Sequence, residues 1–231
     1  MKIFNLKHPS HLIQFGDEDR QKNYELNNLI SMIEGDLIEA SLAVNFFDEE
    51  YLSGKHTTLQ YNLEMKKVSH ASDGEEKMKA YEEMSVDPQS FIHSKRVLFM
   101  YAKIFLYNLD SIYKNLNVIE NIDGLPQGVY NTINEFRSHF STLHEVRNSL
   151  QHMEDRVRLK GPRNSPINPK LLQTNDLSIL SGTTFISSHL SDNKFIALLA
   201  NGEYGEIEIS TKTLTEASTM LQYLINELKW R

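Results

Sequence analysis

The chain has 231 residues, 40% of them hydrophobic and 24% charged, and carries a net charge of −7. That is enough chain to bury a full core, and with no cysteine it excludes disulfides and thiolate chemistry. No apolar run approaches the roughly eighteen residues that span a bilayer, and an acidic surface repels nucleic acid except at a local basic patch.

The opening stretch, MKIFNLKHPSHLIQFGDEDR, lacks the apolar core and small-residue cleavage site of a signal peptide, so a cytoplasmic location with no membrane partner is expected. Its histidines, His8 and His11, read as part of a tail rather than a site. Asp17 then suits the N-cap of a first helix. Leu26, Leu29, Ile30, Ile33, Leu37, Ala40 and Val44 recur at helical spacing. Gly54, in YLSGK, marks its expected end. From 55 to 85 the chain is less regular. TTLQYNLEMKK fits a helix or an extended piece, SHASDGEE reads as a loop, and EEKMKAYEEM as a short polar helix.

A second long helix begins at SVDPQSF, with Asp87 as N-cap and Pro88 at the first helical position, where a missing N–H costs nothing. Phe91, Leu98, Ala102, Phe105, Leu109, Ile112 and Leu116 form its stripe. VLFMYAKIFLYNL is apolar nearly all round, so this helix should be central. Gly124 and Pro126, in NIDGLPQG, break it.

A third helix is expected from about 127 to 160, with Phe136, Phe140, Leu143, Val146, Leu150, Met153 and Val157 on its buried side. GPRNSPINP then forces a linker, because Pro162, Pro166 and Pro169 cannot continue a helix. Beyond it the period changes. Asn201-Gly202 suits a two-residue hairpin turn, and a strand around GTTFISSHL with a turn at Asp192-Asn193 completes a three-strand meander. The last helix has Thr211 or Thr213 as cap and buries Leu214, Ala217, Leu221, Leu224, Ile225 and Leu228. The expectation is a mainly α single domain over 1–231. It is a four-helix up-down bundle with a small antiparallel β meander, 176–210, inserted before the last helix.

The third helix also carries RNSLQH, residues 147 to 152. With Leu150 at zero on a helical wheel, Arg147 falls roughly 60° away, His144 roughly 120°, Asn148 roughly 160° and His152 roughly 200°. A cation, an amide and two imidazoles thus lie on or beside the face this helix does not bury. The stretch after them, RVRLKGPRNSPINPK, contains no acid.

RNSLQH resembles the motif of the HEPN family, an arginine and a polar residue followed by a histidine four to six positions after the arginine, set late in a helical bundle. The resemblance implies a metal-independent endoribonuclease of toxin or defence type. It needs no cofactor and acts as a symmetric homodimer in which two motifs meet and a ribose 2′-hydroxyl attacks the adjacent phosphate. RNA would be the substrate, with an antitoxin or other protein as a further partner. The residue types suit this. His152 can exchange protons near neutrality, Arg147 can hold phosphate oxygens in a planar fork, Asn148 can orient either, and His144 is a plausible helper. Arg156, Arg158, Lys160 and Arg163 would grip the RNA backbone. Many toxin members carry a tyrosine two residues after the histidine; Glu154 stands there.

The alternative is a non-catalytic HEPN-like dimerisation or partner-binding module, with Arg147 and His152 in an interfacial hydrogen-bond network. Other chemistries find less support. A di-iron bundle needs Glu-x-x-His on two helices, whereas Glu135 and His139 are four apart with no second pair, so no metal site is expected. No glycine-rich phosphate loop occurs, and GTTFISS lacks the frame of a nucleophile elbow.

Overall fold

A computed structural model describes residues 1–8, 19–170 and 186–228. Asp17, His11 and the part of the meander at 176–185 lie outside those residues. Among the described residues there are seven α-helices and one three-stranded antiparallel sheet, placed before the last helix.

Helix α1 spans Arg20–His70. Its expected stripe is buried, from Leu26 through Val44 and on to Phe47. The helix does not end at Gly54. A Cβ on that glycine would lie 3.2 Å from Ser94 Oγ, so the residue serves close packing against a neighbouring helix and not a stop. Beyond it Leu59 and Leu63 are exposed, which is why the amphipathic signal fades there while the helix continues. The short polar α2 (Gly74–Glu82) is capped by Asp73, which accepts from Glu76 N–H.

Helix α3 (Pro88–Glu120) begins where its sequence says. Asp87 accepts from the backbone N–H groups of Gln89 and Ser90, and Pro88 occupies the first turn. It packs along α1, and Leu98, Ala102, Phe105, Leu109, Ile112 and Leu116 are buried.

The expected continuous helix from 127 to 160 is three helices: α4 (Gln127–His139), α5 (Leu143–Gln151) and α6 (Met153–Val157). The first break falls at Phe140-Ser141-Thr142, where hydroxyl residues favour helix ends over helix interiors. The second falls at His152, with φ −112° and ψ 40°. The stripe holds through Leu150, but Met153 is only half-buried and Val157 is exposed, because the second bend turns Arg156 inward instead.

Strands β1 (Ser188–Ser191), β2 (Lys194–Leu198) and β3 (Tyr204–Glu208) form a meander in that order. The two turns exchange their expected roles. Asp192-Asn193 is the two-residue hairpin, with Ser191 paired to Lys194 and Asp192 at φ +51°. Asn201-Gly202 sits in a longer loop, since Leu198 pairs with Tyr204. Gly202 does take a positive φ of 84°, and any Cβ there would meet Asn168 O at 2.2 Å. The sheet packs on α5, where a Cβ on Gly205 would lie 2.7 Å from Val146 Cγ2. Phe195 reaches α3, its ring centroid 5.0 Å from that of Phe99.

Helix α7 (Thr211–Glu227) is capped by Ser210, which accepts from Thr213 N–H, and not by Thr211 or Thr213. It packs on α4 and α1 and buries five of the apolar residues expected, and the sixth, Leu228, is buried just past its end. The N-terminal segment is no tail up to residue 8. Phe4 and Leu6 are buried, Phe4 N–H donates to Ser41 Oγ, Lys7 N–H donates to Gln222 Oε1, and His8 Nε2 lies 2.8 Å from Glu34. No helix is long and apolar enough to cross a membrane, among the described residues.

Candidate functional site

The sequence motif lies on α5 and at its end, and α3 supplies what the motif rests on. Asp110 is 1% exposed, a carboxylate inside the most apolar helix among the described residues. Burial of a charge is costly unless it is paired. Three cationic or protonatable groups surround this one: Lys114 Nζ at 2.7 Å, Arg147 Nε at 3.0 Å and His144 Nδ1 at 3.1 Å. The Arg147 Nε–H is not aligned with the carboxylate as a hydrogen bond, so this contact is an ion pair by proximity.

Arg147 is held on other sides as well. Its Nη1 donates to Asn148 Oδ1 at 3.3 Å and to Gln151 Oε1, and its guanidinium carbon stands 5.5 Å from the centre of the Tyr107 ring. The His144 ring stacks on Tyr113 at 6.1 Å. Its Nε2 lies 3.0 Å from Asn148 Nδ2; with the amide donating, Nε2 is the acceptor, which leaves the proton on Nδ1 facing Asp110. His144, Arg147 and Asn148 therefore form one network built on Asp110. The face that helical spacing placed away from the core is in large part turned onto α3.

His152 stands apart from that network. It closes α5, its backbone N–H donates to Asn148 O, and its side chain is 56% exposed, 3.9 Å from Glu154. His152 and Asn148 line an open cleft of about 500 Å³, walled on the other sides by the Gly161–Asn164 loop and the Leu199–Asn201 turn. Arg163 and Asn164 in that loop hold positive φ angles of 56° and 60°. A group of His152, Glu154 and Asp155 places one possible metal-ligating atom each within 4.8 Å of the others at the solvent-open rim; no other such group occurs among the described residues.

The basic stretch divides. Arg156 is 4% exposed, and its Nε donates to Ser149 Oγ at 3.3 Å and its Nη1 to Lys160 O at 2.7 Å. Burial holds its pKa below the usual arginine value, against the pull of Asp155 and Glu154. Arg158 and Arg163 are exposed and Lys160 is half-buried. Glu135 and His139, weighed as metal ligands, do not converge: His139 Nε2 lies 3.0 Å from Glu216 instead.

Asp110, Gln151 and two of the tyrosines of α3, Tyr107 and Tyr113, were missed from sequence. For Asp110 a signal was available, since a lone acid between Leu109 and Ile112 in an apolar helix demands a cationic partner. No family model, curated protein or solved structure matches this chain.

Proposed function

We propose that the chain is a HEPN-like, metal-independent endoribonuclease that works as a symmetric homodimer. The observation that carries this reading is the pre-set network of Asp110, Arg147, Asn148 and His144 beside an exposed His152 at the mouth of a cleft. In-line attack needs a base for the ribose 2′-hydroxyl proton, an acid for the leaving 5′ oxygen, and positive charge at the phosphate. His152 has the exposure a proton-transferring group needs. Arg147 is clamped in place, and electrostatic stabilisation works best from groups that need no reorganisation. One imidazole can take the 2′ proton while a second, supplied by two-fold symmetry, gives one to the departing oxygen. The products are a 2′,3′-cyclic phosphate and a free 5′-hydroxyl. Arg163 lines the cleft and would meet phosphates there, with Arg158 and Lys160 of the same stretch as further contacts, whereas Arg156 acts by holding their loop. The supporting scaffold is a four-helix up-down bundle of α1, α3, the α4–α5 pair and α7, a reading favoured by the packing of α1 on α3 and α7 and of α4 on α7.

The test is cleavage of mixed RNA by purified protein in the presence of a chelator. Fragments ending in cyclic phosphate are expected, and His152→Ala should abolish them with an unchanged circular dichroism spectrum. Equal cleavage by the alanine variant would remove His152 from the chemistry. Loss of cleavage in chelator would move the reading toward a metal held by His152, Glu154 and Asp155.

One observation favours a second reading, a non-catalytic dimerisation or partner-binding module. The Arg147 side chain is only 15% exposed and is already engaged by Asp110, Asn148 and Gln151. In that case a dimer forms, no RNA is cut, and Arg147→Ala changes stability alone.

A further inference from the structure

Helix α3 carries a ladder of which the site uses only the last rung. Phe91, Lys95, Phe99, Lys103 and Tyr107 succeed one another at four-residue steps, so they lie along one ridge of the helix. The Lys95 ammonium stands 5.4 Å from the Phe91 ring centre, Lys103 5.0 Å from Phe99, and Arg147 of α5 closes the series at 5.5 Å from Tyr107. The ridge spans about 24 Å at the helical rise. Beside it runs a groove of about 780 Å³, to which Arg96, Met100, Ile104 and Met153 also contribute, and none of its lining residues is acidic. Met100 is 47% exposed, Ile104 37% and Tyr107 38%.

We infer that this groove is a track for single-stranded RNA, leading along α3 to Arg147 and the His152 end of α5. The inference rests on the nuclease reading and gives that site its substrate path. Single-strand sites combine cations that track the phosphates with aromatic and apolar surfaces that take bases, and the shortest hold about four nucleotides, the scale of this ridge. Charge decides between occupants. The chain carries −7 overall, yet Lys95, Arg96 and Lys103 gather here with Arg147 at the end. A second copy docking this face on itself would set like charges against each other, whereas a polyanion with exposed bases satisfies both the cations and the apolar floor. Arg147 joins the two sites: its ring partner Tyr107 belongs to the track and its carboxylate partner Asp110 belongs to the motif.

The test measures binding apart from cleavage. A fluorescein-labelled 2′-O-methyl oligouridine, which cannot supply the attacking hydroxyl, is titrated with the full chain over a range of salt by fluorescence anisotropy. Binding is expected at low salt, weakened at least tenfold by Arg96→Glu/Lys103→Glu and restored by Arg96→Lys/Lys103→Arg. The double glutamate variant should also flatten the dependence of log K on log salt by about 1.4, from about 0.7 per lost phosphate contact. Binding by the glutamate variant equal to the parent's overturns the track. So does failure of the parent to bind, or dimer loss on Met100→Glu/Ile104→Glu without oligonucleotide binding, which makes the groove a protein interface. Cleavage of unmodified RNA is scored separately, so the track can fall while the nuclease stands, and the reverse.

Discussion

Asp110 and Arg147 meet between α3 and α5 with Nε 3.0 Å from Oδ2, the carboxylate side chain 1% exposed and the arginine 15% exposed. The pair ties the motif helix to a long apolar helix packed along α1, and Lys114 and His144 share the same carboxylate. Removing one member of a buried pair leaves the other short of a partner, which is costlier than removing both. Asp110→Ala should therefore lower stability by about 2 kcal/mol, reduced from the figure for a fully buried pair because Lys114 and His144 can turn to water. Arg147→Ala should cost less, since Lys114 and His144 still neutralise the carboxylate. A double-mutant cycle in urea denaturation should give a coupling of about 1 kcal/mol. Strict additivity would show that the ion pair contributes nothing to the docking of α5.

Gly205 is what lets β3 approach that same helix. A Cβ there would lie 2.7 Å from Val146 Cγ2 and 3.1 Å from Leu199 Cδ2. Val146 is β-branched and buried, so it has little freedom to yield. Gly205→Val should cost about 1–3 kcal/mol as an overpacking change, read as a lower midpoint in denaturant. Because α5 carries Arg147 and Asn148, the same substitution should lower any cleavage activity more than it lowers stability. An unchanged midpoint would mean that the sheet shifts freely on α5.

What could be read in advance depended on whether a signal is local. Asp87-Pro88 marks a helix start by chemistry confined to one turn, and α3 begins there. The apolar stripes were legible for the same reason, because periodicity reports burial directly. Gly54 misled, since a glycine that ends a helix and one that lets two helices close look alike until Ser94 is seen beside it. The bend at His152 has no proline or glycine to announce it, so the wheel drawn through Met153 and Val157 described a helix that had already turned. Arg147, Asn148 and His144 were legible as a polar group, but Asp110 lies 37 positions from Arg147 in sequence and only the fold brings them together. Arg156 read as a surface cation because nothing local says that Ser149 and the Lys160 carbonyl will enclose it.

Asp36 gives a pH dependence whose sign can be worked out. Burial raises its pKa from the ordinary aspartate value, with the Ser111 hydroxyl pulling the other way and Glu39 adding to the rise. A raised carboxylate binds more protons folded than unfolded, so its ionisation costs the folded state stability as pH climbs through the unfolded value, near about 4, to the folded one. Asp36→Asn removes that titration and can still accept from Ser111. Its melting temperature should exceed the parent's at neutral pH, and the gap should close as pH falls toward about 4. A gap that is constant across this range would show that the carboxylate ionises in the folded chain as it does unfolded.

Arg156 is the cation to separate from its neighbours. It is enclosed, donating to Ser149 Oγ and to Lys160 O, and so fastens the chain beyond α6 to α5. Leu159, Arg163 and Asn164, in the segment it holds, all sit at positive φ, a conformation that costs non-glycine residues energy and persists only when neighbours impose it. Arg156→Ala removes one imposing contact and leaves the Lys160 carbonyl without that donor. A loss of about 1–3 kcal/mol is expected from charge-assisted bonds of this kind, together with faster tryptic cutting at Lys160 and Arg163. Arg158→Ala, at an exposed position, should stay within about 0.5 kcal/mol of the parent. If Arg156→Ala melts and is cut like the parent while RNA binding alone weakens, then the guanidinium leaves its enclosure to meet phosphate, and the loop is held by its own turns and not by this side chain.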